Sequence, residues 1–401
     1  MKQLVYTIGL VLLTSVSFAQ KKNVQSASKY LNDAREAMRD QDMEQAAKDF
    51  IGAKDYIDQA SQHEDTQNDP KMFMYRGEIY LEMAGIVAID STNEAFAELD
   101  AEEMTEIGMN SLKKSKEVDD RERYHDDVND YCNKYRVMAQ NMGVAAYDNA
   151  EYAKATEALI GAGEFGKIMG VKDSMLYYFG GLAAIQSQKW EMAEKAFQNC
   201  VDWQYKTAES VGFLATALNE QGKTAEAESL LKKAVADYPK NVDILIQQIN
   251  FFIDTDRSEE ANGALQKAID LDPENTALVY TSGNIYEQMG QFEDAEKAYS
   301  RTLELDPNHT NAKFSMGGLY FNKGADLYNE GNKLPPSDPK STQMIEESKA
   351  MFNKALPFLE AAAEAEPEDV IILQSLKAVY GKLGMVDKFK ETKARIAEIQ
   401  G

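Results

Sequence analysis

The chain has 401 residues, 43 Lys and Arg against 67 Asp and Glu, a net charge of −24, and only 2 Cys and 3 His. Two cysteines rule out a disulfide-stapled scaffold and a four-thiolate zinc site. The excess of carboxylates argues against nucleic acid and against an anionic membrane surface as partners.

The N-terminus reads as an address. Met1-Lys2-Gln3 precedes an apolar run from Leu4 to Val16, and Ser17-Phe18-Ala19 sets small residues before a cut after Ala19. A membrane span needs about 20 apolar residues, so the run is too short for one. Residues 1–19 are expected to be a signal peptide, with the mature chain beginning at Gln20 and no lipid-bearing Cys behind it. The ending Phe18-Ala19-Gln20 resembles exported proteins of Bacteroidota. The expected location is exported and periplasmic, or outer-membrane associated through a partner, without direct membrane insertion.

An internal repeat governs the rest. Pro239, Pro273 and Pro307 are 34 residues apart, and so are Ala193, Ala227, Ala261 and Ala295. A large apolar residue follows each alanine by one helical turn: Phe197, Leu231, Leu265 and Tyr299. Gly181, Ala215, Ile249 and Gly283 form a third column in the same register. The clearest unit, Thr276 to His309, carries Gly283-x-x-Tyr286, Ala295-x-x-x-Tyr299 and Pro307.

These columns resemble the tetratricopeptide repeat. In that repeat small residues let two helices, A and B, approach closely, aromatic residues fill the gap, and proline ends helix B. Asn241, Asn275 and Asp369 stand where the next helix A needs a cap. The family's tryptophan column is replaced here by Tyr177, Val211, Leu245 and Val279. Looser units are marked by Ala46-x-x-x-Phe50, Gly77-x-x-Tyr80, Gly143 with Ala155-x-x-x-Leu159, Gly317-x-x-Tyr320 with Ala355-x-x-x-Leu359, and Tyr380. The resemblance implies an all-α, right-handed α-solenoid of about eight helix pairs with helical insertions. The expected divisions are the signal peptide, divergent units over 20–173, four regular units over 174–309, and over 310–401 a unit with an inserted hairpin plus a capping pair.

Three segments break the period. Asp90 to Glu106 is an acidic insertion. Tyr124, Val128, Tyr131, Tyr135, Met138 and Met142 recur at alternating four- and three-residue steps, which predicts one face of a helix extended backwards from Gly143. Lys323 to Ser348, with Leu334-Pro335-Pro336-Ser337-Asp338-Pro339 at its tip, predicts a protruding helical hairpin.

No catalytic constellation is visible and no metal site or cofactor is expected. His63, His125 and His309 lack spaced partners, and no nucleophile elbow, phosphate loop or zinc-protease motif occurs. Gly161-x-Gly163-x-x-Gly166 follows a repeat helix rather than a strand and is expected to be a helix-breaking loop. Cys132 and Cys200 are expected to be free, buried thiols.

The resemblance also implies which residues line the concave face: the second, fifth, sixth, ninth, twelfth and thirteenth of each unit. In the regular units these include Tyr178, Phe213, Asn219, Gln247, Asn250, Tyr280, Asn284 and Phe314, with Glu220, Asp254, Glu287, Ser315, Gly318, Phe321 and Asn322 among their neighbours. The set carries carboxylates and no Lys or Arg. It suits an extended apolar or basic polypeptide, whose backbone the amides could bond and whose side chains the aromatics could hold. The expected function is a non-enzymatic protein–protein interaction scaffold in the cell envelope. The alternatives are a periplasmic chaperone or an outer-membrane or secretion assembly factor, and an enzyme or glycan-binding protein with a site in the insertions.

Overall fold

A computed structural model describes residues 22–89, 96 and 99–401. The expected signal peptide, and residues 90–95, 97 and 98 of the acidic insertion, lie outside the described residues. Eighteen α-helices and no strand occur among the described residues. They form nine consecutive pairs, one more than expected: α1 (22–39) with α2 (Met43–Ser61), α3 (Pro70–Ile89) with α4 (Ala101–Val118), α5 (His125–Asp148) with α6 (Tyr152–Met169), and α7 (Ser174–Gln186) with α8 (Trp190–Asp202). Then come α9 (Thr207–Glu220) with α10 (Thr224–Asp237), α11 (Val242–Asp254) with α12 (Ser258–Leu271), α13 (Thr276–Gln288) with α14 (Phe292–Leu305), α15 (Thr310–Lys333) with α16 (Pro339–Ala365), and α17 (Val370–Lys382) with α18 (Val386–Gln400).

The chain divides into two compact units, Met1–Tyr205 and Lys206–Gly401. The division falls where the proline column lapses, since Tyr205 stands 34 residues before Pro239.

The repeat columns are the interior of both units. Ala193, Ala227, Ala261 and Ala295 are fully buried, as are Phe197, Leu265 and Tyr299. The residues that replace the family's tryptophan, Tyr177, Val211, Leu245 and Val279, are also buried. The reason for a small residue on helix A is geometric. A Cβ added at Gly181 would come within 2.8 Å of Phe197, at Gly283 within 2.4 Å of Tyr299, and at Gly143 within 2.7 Å of Leu159. Helix B sets its large side chain directly on the helix A backbone, so the pair closes without a cavity.

Seven of the nine A helices end the same way. The second residue before helix B takes a left-handed conformation at Gln41, Ala150, Gln188, Gly222, Asp256, Gly290 and Gly384. At Gln188 its N–H bonds Ile185 O at 3.1 Å while Lys189 N–H reaches back to Ala184 O at 2.8 Å. This pair of bonds satisfies carbonyls that the helix end leaves free and turns the chain sharply. The seven residues occupy one register position, which ties the loosest units to the regular ones.

The longer helices follow the sequence patterns. α5 begins at His125, as its stripe requires, and α15 and α16 run on past the normal pair length to make a hairpin around 334–338. One expectation fails. Gly161, Gly163 and Gly166 lie inside α6 rather than in a loop. A Cβ on Gly163 would meet the Tyr177 ring at 2.6 Å, so the glycine makes room for the following helix instead of ending its own. Cys132 and Cys200 are buried and in no disulfide, and burial pushes the Cys132 thiol up to about 12.

Candidate functional site

In the second unit three A helices, α13, α15 and α17, bound a cleft of 480 Å³. Each is placed by the same local chemistry. A proline two residues past the preceding helix blocks its continuation, and a capping side chain two residues later starts the next helix. Asn275 accepts from Leu278 N at 3.3 Å, His309 Nδ1 from Ala312 N at 3.1 Å, and Asp369 from Ile372 N at 3.0 Å. The starts of these helices are therefore equivalent, and so are the faces they present.

Glu287 of α13 stands at one side of the cleft, and Phe314, Ser315, Gly318, Phe321 and Asn322 of α15 form its middle. Ile371, Gln374, Ser375 and Ala378 of α17 close the other side, over a floor at Leu359. Ile371 is 66% exposed, an aliphatic side chain held at the rim without a covering partner. A Cβ on Gly318 would meet nothing within 4 Å, so the α15 backbone lies open in the cleft wall.

Among the eleven lining residues Glu287 alone is ionisable. Its carboxylate and Asn284 Oδ1 each lie 2.8 Å from the Tyr299 hydroxyl, whose single proton they share. Burial and the neighbouring Glu287 carboxylate hold the Tyr299 phenol well above its ordinary range, so it remains a donor. The cleft thus combines apolar side chains, neutral hydroxyl and amide groups, and one negative charge.

Of the eight residues expected on the concave face, Phe314 lines this cleft. Tyr280 stands next to it, half-buried, with its hydroxyl 3.1 Å from Ser315 Oγ and its ring 4.9 Å from that of His309. Asn284 is half-buried and its carbonyl is engaged by Tyr299. Asn219 accepts the Thr224 hydroxyl at 2.9 Å across its own turn. Gln247 lies on Gly212, where an added Cβ would fall 2.0 Å from its Oε1. Phe213 is half-buried and Asn250 is exposed.

Tyr178 is a correction: it is buried, with rings of Phe179, Phe197 and Tyr205 edge-on to it within 6.0 Å. Phe197 of α8 and Tyr205 just past that helix lie against it, so it belongs to the core and not to an open wall.

Sequence reasoning missed the α17 wall, because the hairpin interrupts the 34-residue spacing. The signal was present: Pro367 and Asp369 fix Val370 as the first position, as Pro307 and His309 fix Thr310. Counting from there gives Ile371, Gln374, Ser375 and Ala378 at the second, fifth, sixth and ninth positions. It also missed an ion cluster in the first unit. Arg35 Nη2 lies 2.6 Å from Glu78 Oε2 and 2.5 Å from Glu82 Oε1. Burial raises the Glu78 carboxyl above its usual value despite the guanidinium. Among the described residues no group of His, Cys, Asp and Glu could hold a metal ion, and no helix is long and apolar enough to cross a membrane.

Comparison with curated proteins gives no match. Among solved structures, a tetratricopeptide repeat protein from Parabacteroides merdae is 16% identical, covering 56% of this chain and 78% of its own, with a TM-score of 0.39. YrrB, described as a TPR protein with an unusual peptide-binding site, is 21% identical over 52% of this chain and 93% of its own, with a TM-score of 0.36. Pseudomonas aeruginosa pilF is 18% identical over 56% of this chain and 91% of its own, with a TM-score of 0.41. Two tetratricopeptide repeat models match the sequence itself, over residues 180–242 and 252–316. Those stretches carry tetratricopeptide repeats, modules that in general hold one protein against another.

Proposed function

We propose that this chain is a non-enzymatic scaffold that holds an extended, apolar polypeptide with a basic residue in the cleft between α13, α15 and α17. The observation that carries this reading is the lining: Phe314, Phe321 and Ile371 beside one carboxylate and no cation. The volume of 480 Å³ lies in the range of pockets that accept small ligands, roughly 300–1,000 Å³, and suits a few side chains of a peptide. Ser315, Asn322, Gln374 and Ser375 can donate to and accept from its backbone. Glu287 favours Lys or Arg at the α13 end.

Export to the cell envelope belongs to the same reading and rests on the N-terminal segment alone. Mature protein should begin at Gln20 when its N-terminus is sequenced; an intact Met1 with all of the protein in the cytoplasmic fraction would refute export.

The cleft is tested by selecting peptides from a random library and measuring affinity by fluorescence anisotropy. Selected peptides should combine large apolar residues with Lys or Arg. Ile371→Ser should weaken the best of them by about tenfold without loss of helicity, because a rim side chain contributes contact rather than core. Unchanged affinity in that variant would place binding elsewhere. Equal affinity for many unrelated apolar peptides would favour a chaperone.

A further inference from the structure

The stripe on α5 has two halves with different surroundings. The first half is covered by α3 and α4. Tyr131 donates to the Glu78 carbonyl at 3.3 Å, Lys116 reaches Asn129 at 2.8 Å, and Val128 and Cys132 are fully buried in a cluster that extends as far as Tyr135. Beyond Tyr135 the cover stops. Met138 and Met142, the next members of the same stripe, are 49% and 60% exposed, and Val137 and Val144 beside them are 42% and 49% exposed. The regular pairs show what is missing. At the position equivalent to Met142, Gly180 of α7 is buried, and a Cβ there would meet Ile160 of the preceding helix B at 2.8 Å. On α5 the apolar stripe continues, but among the described residues nothing lies over that half of it.

We propose that this open half of α5 pairs with the same helix of a second copy of the chain, antiparallel about a two-fold axis. Two observations select that occupant. The stripe is continuous with an interface already formed within the chain, so its side chains are set at the spacing that helix packing uses. Its ends carry opposite charges: Lys134, whose ammonium lies 5.4 Å from the Tyr135 ring centre, and Asp148, about four turns further on, both exposed. Reversing the helix sets the lysine of each copy against the aspartate of the other. A two-fold contact is self-complementary in this sense. A partner of uniform charge would meet one unlike end and one like end. For a chain of net charge −24, association with itself needs such local pairing to offset the general repulsion.

Sedimentation velocity of the full chain should show a concentration-dependent dimer. Met142→Glu should weaken it by about tenfold or more, because a carboxylate would be desolvated in an apolar seam. Lys134→Glu should also weaken it, and Lys134→Glu with Asp148→Lys should restore it. Circular dichroism should be unchanged in every variant, since all three side chains are exposed. A monomer at every concentration, or a dimer that tolerates both Met142→Glu and Lys134→Glu, would overturn the proposal.

Discussion

Ala150 and Gly290 hold the same backbone conformation with different side chains, φ 59° and 70°. In this region Cβ crowds the following carbonyl, at about 1–2 kcal/mol for an L residue, whereas glycine is free of that strain. Ala150→Gly should therefore raise the melting temperature and Gly290→Ala should lower it, each by about 1 kcal/mol of stability once glycine's greater freedom in the unfolded chain is counted. Shifts of the same sign would mean that the two turns differ in solution. Arg35 makes a second test at this scale. Glu78 and Glu82 are 11% and 12% exposed at their side chains, so Arg35→Met leaves two nearly buried carboxylates without their guanidinium. The loss should be about 3 kcal/mol at pH 7. The Glu78 carboxyl is already raised, which means the folded state takes up its proton before the unfolded state does. Lowering the pH then favours the folded state through this group, so the deficit of the variant should shrink between pH 7 and pH 5 in urea melts. A deficit that grows on acidification would reject the assignment.

The elements are held by small residues facing large ones, and the hairpin shows this most plainly. Gly317, Gly324 and Gly331 recur every seventh residue on α15 and receive Leu359, Phe352 and Ile345, which recur every seventh on α16. Ser341, Ser348, Ala355 and Ala362 continue the buried small stripe of α16 at the same interval. Glycine inside a helix costs about 1 kcal/mol relative to alanine. Here the close approach of two long helices offsets that cost. Gly324→Leu should overpack the contact, since a Cβ would already lie 2.9 Å from Phe352, and lower stability by about 1–3 kcal/mol. Ser348 Oγ is buried without a hydrogen-bond partner, so Ser348→Ala should be neutral or stabilising. A melting temperature unchanged by Gly324→Leu would show that the hairpin does not pack this way in solution. The heptad was visible in the sequence, but a search for 34-residue spacing passes over it.

At the scale of the molecule, a charge of −24 bears on the proposed ligand. A basic peptide would be drawn to the second unit by its general field and then positioned by Glu287, and the two contributions separate with salt. The general attraction is screened over a Debye length of about 10 Å at 0.1 M, while apolar contact with Phe314, Phe321 and Ile371 is not. Raising the salt should therefore slow association more than it speeds dissociation in stopped-flow measurements. Replacing the basic residue of the peptide by norleucine should flatten that dependence; an unchanged salt profile would remove Glu287 from the site.

The sequence by itself determined the class of fold, the register of the regular units, the buried alanine and aromatic columns, and the extension of α5 and the hairpin. These follow from local rules: helical spacing, caps, and a proline that cannot continue a helix. Through the resemblance to the tetratricopeptide repeat it also implied that Glu287, Phe314, Ser315, Gly318, Phe321 and Asn322, which line the cleft, share one face. Tertiary structure decided the rest. Tyr178 is buried because aromatics from other parts of its own unit converge on it, which no spacing reveals. The α17 wall meets α15 because the inserted hairpin folds on itself and returns the chain to register, whatever the insertion's length. Arg35 meets Glu78 and Glu82 across more than forty residues of chain, and Met138 and Met142 are left open because no described helix packs over that half of α5. An apolar stripe states what a helix can bury, and only the packed neighbours decide how much of it is buried.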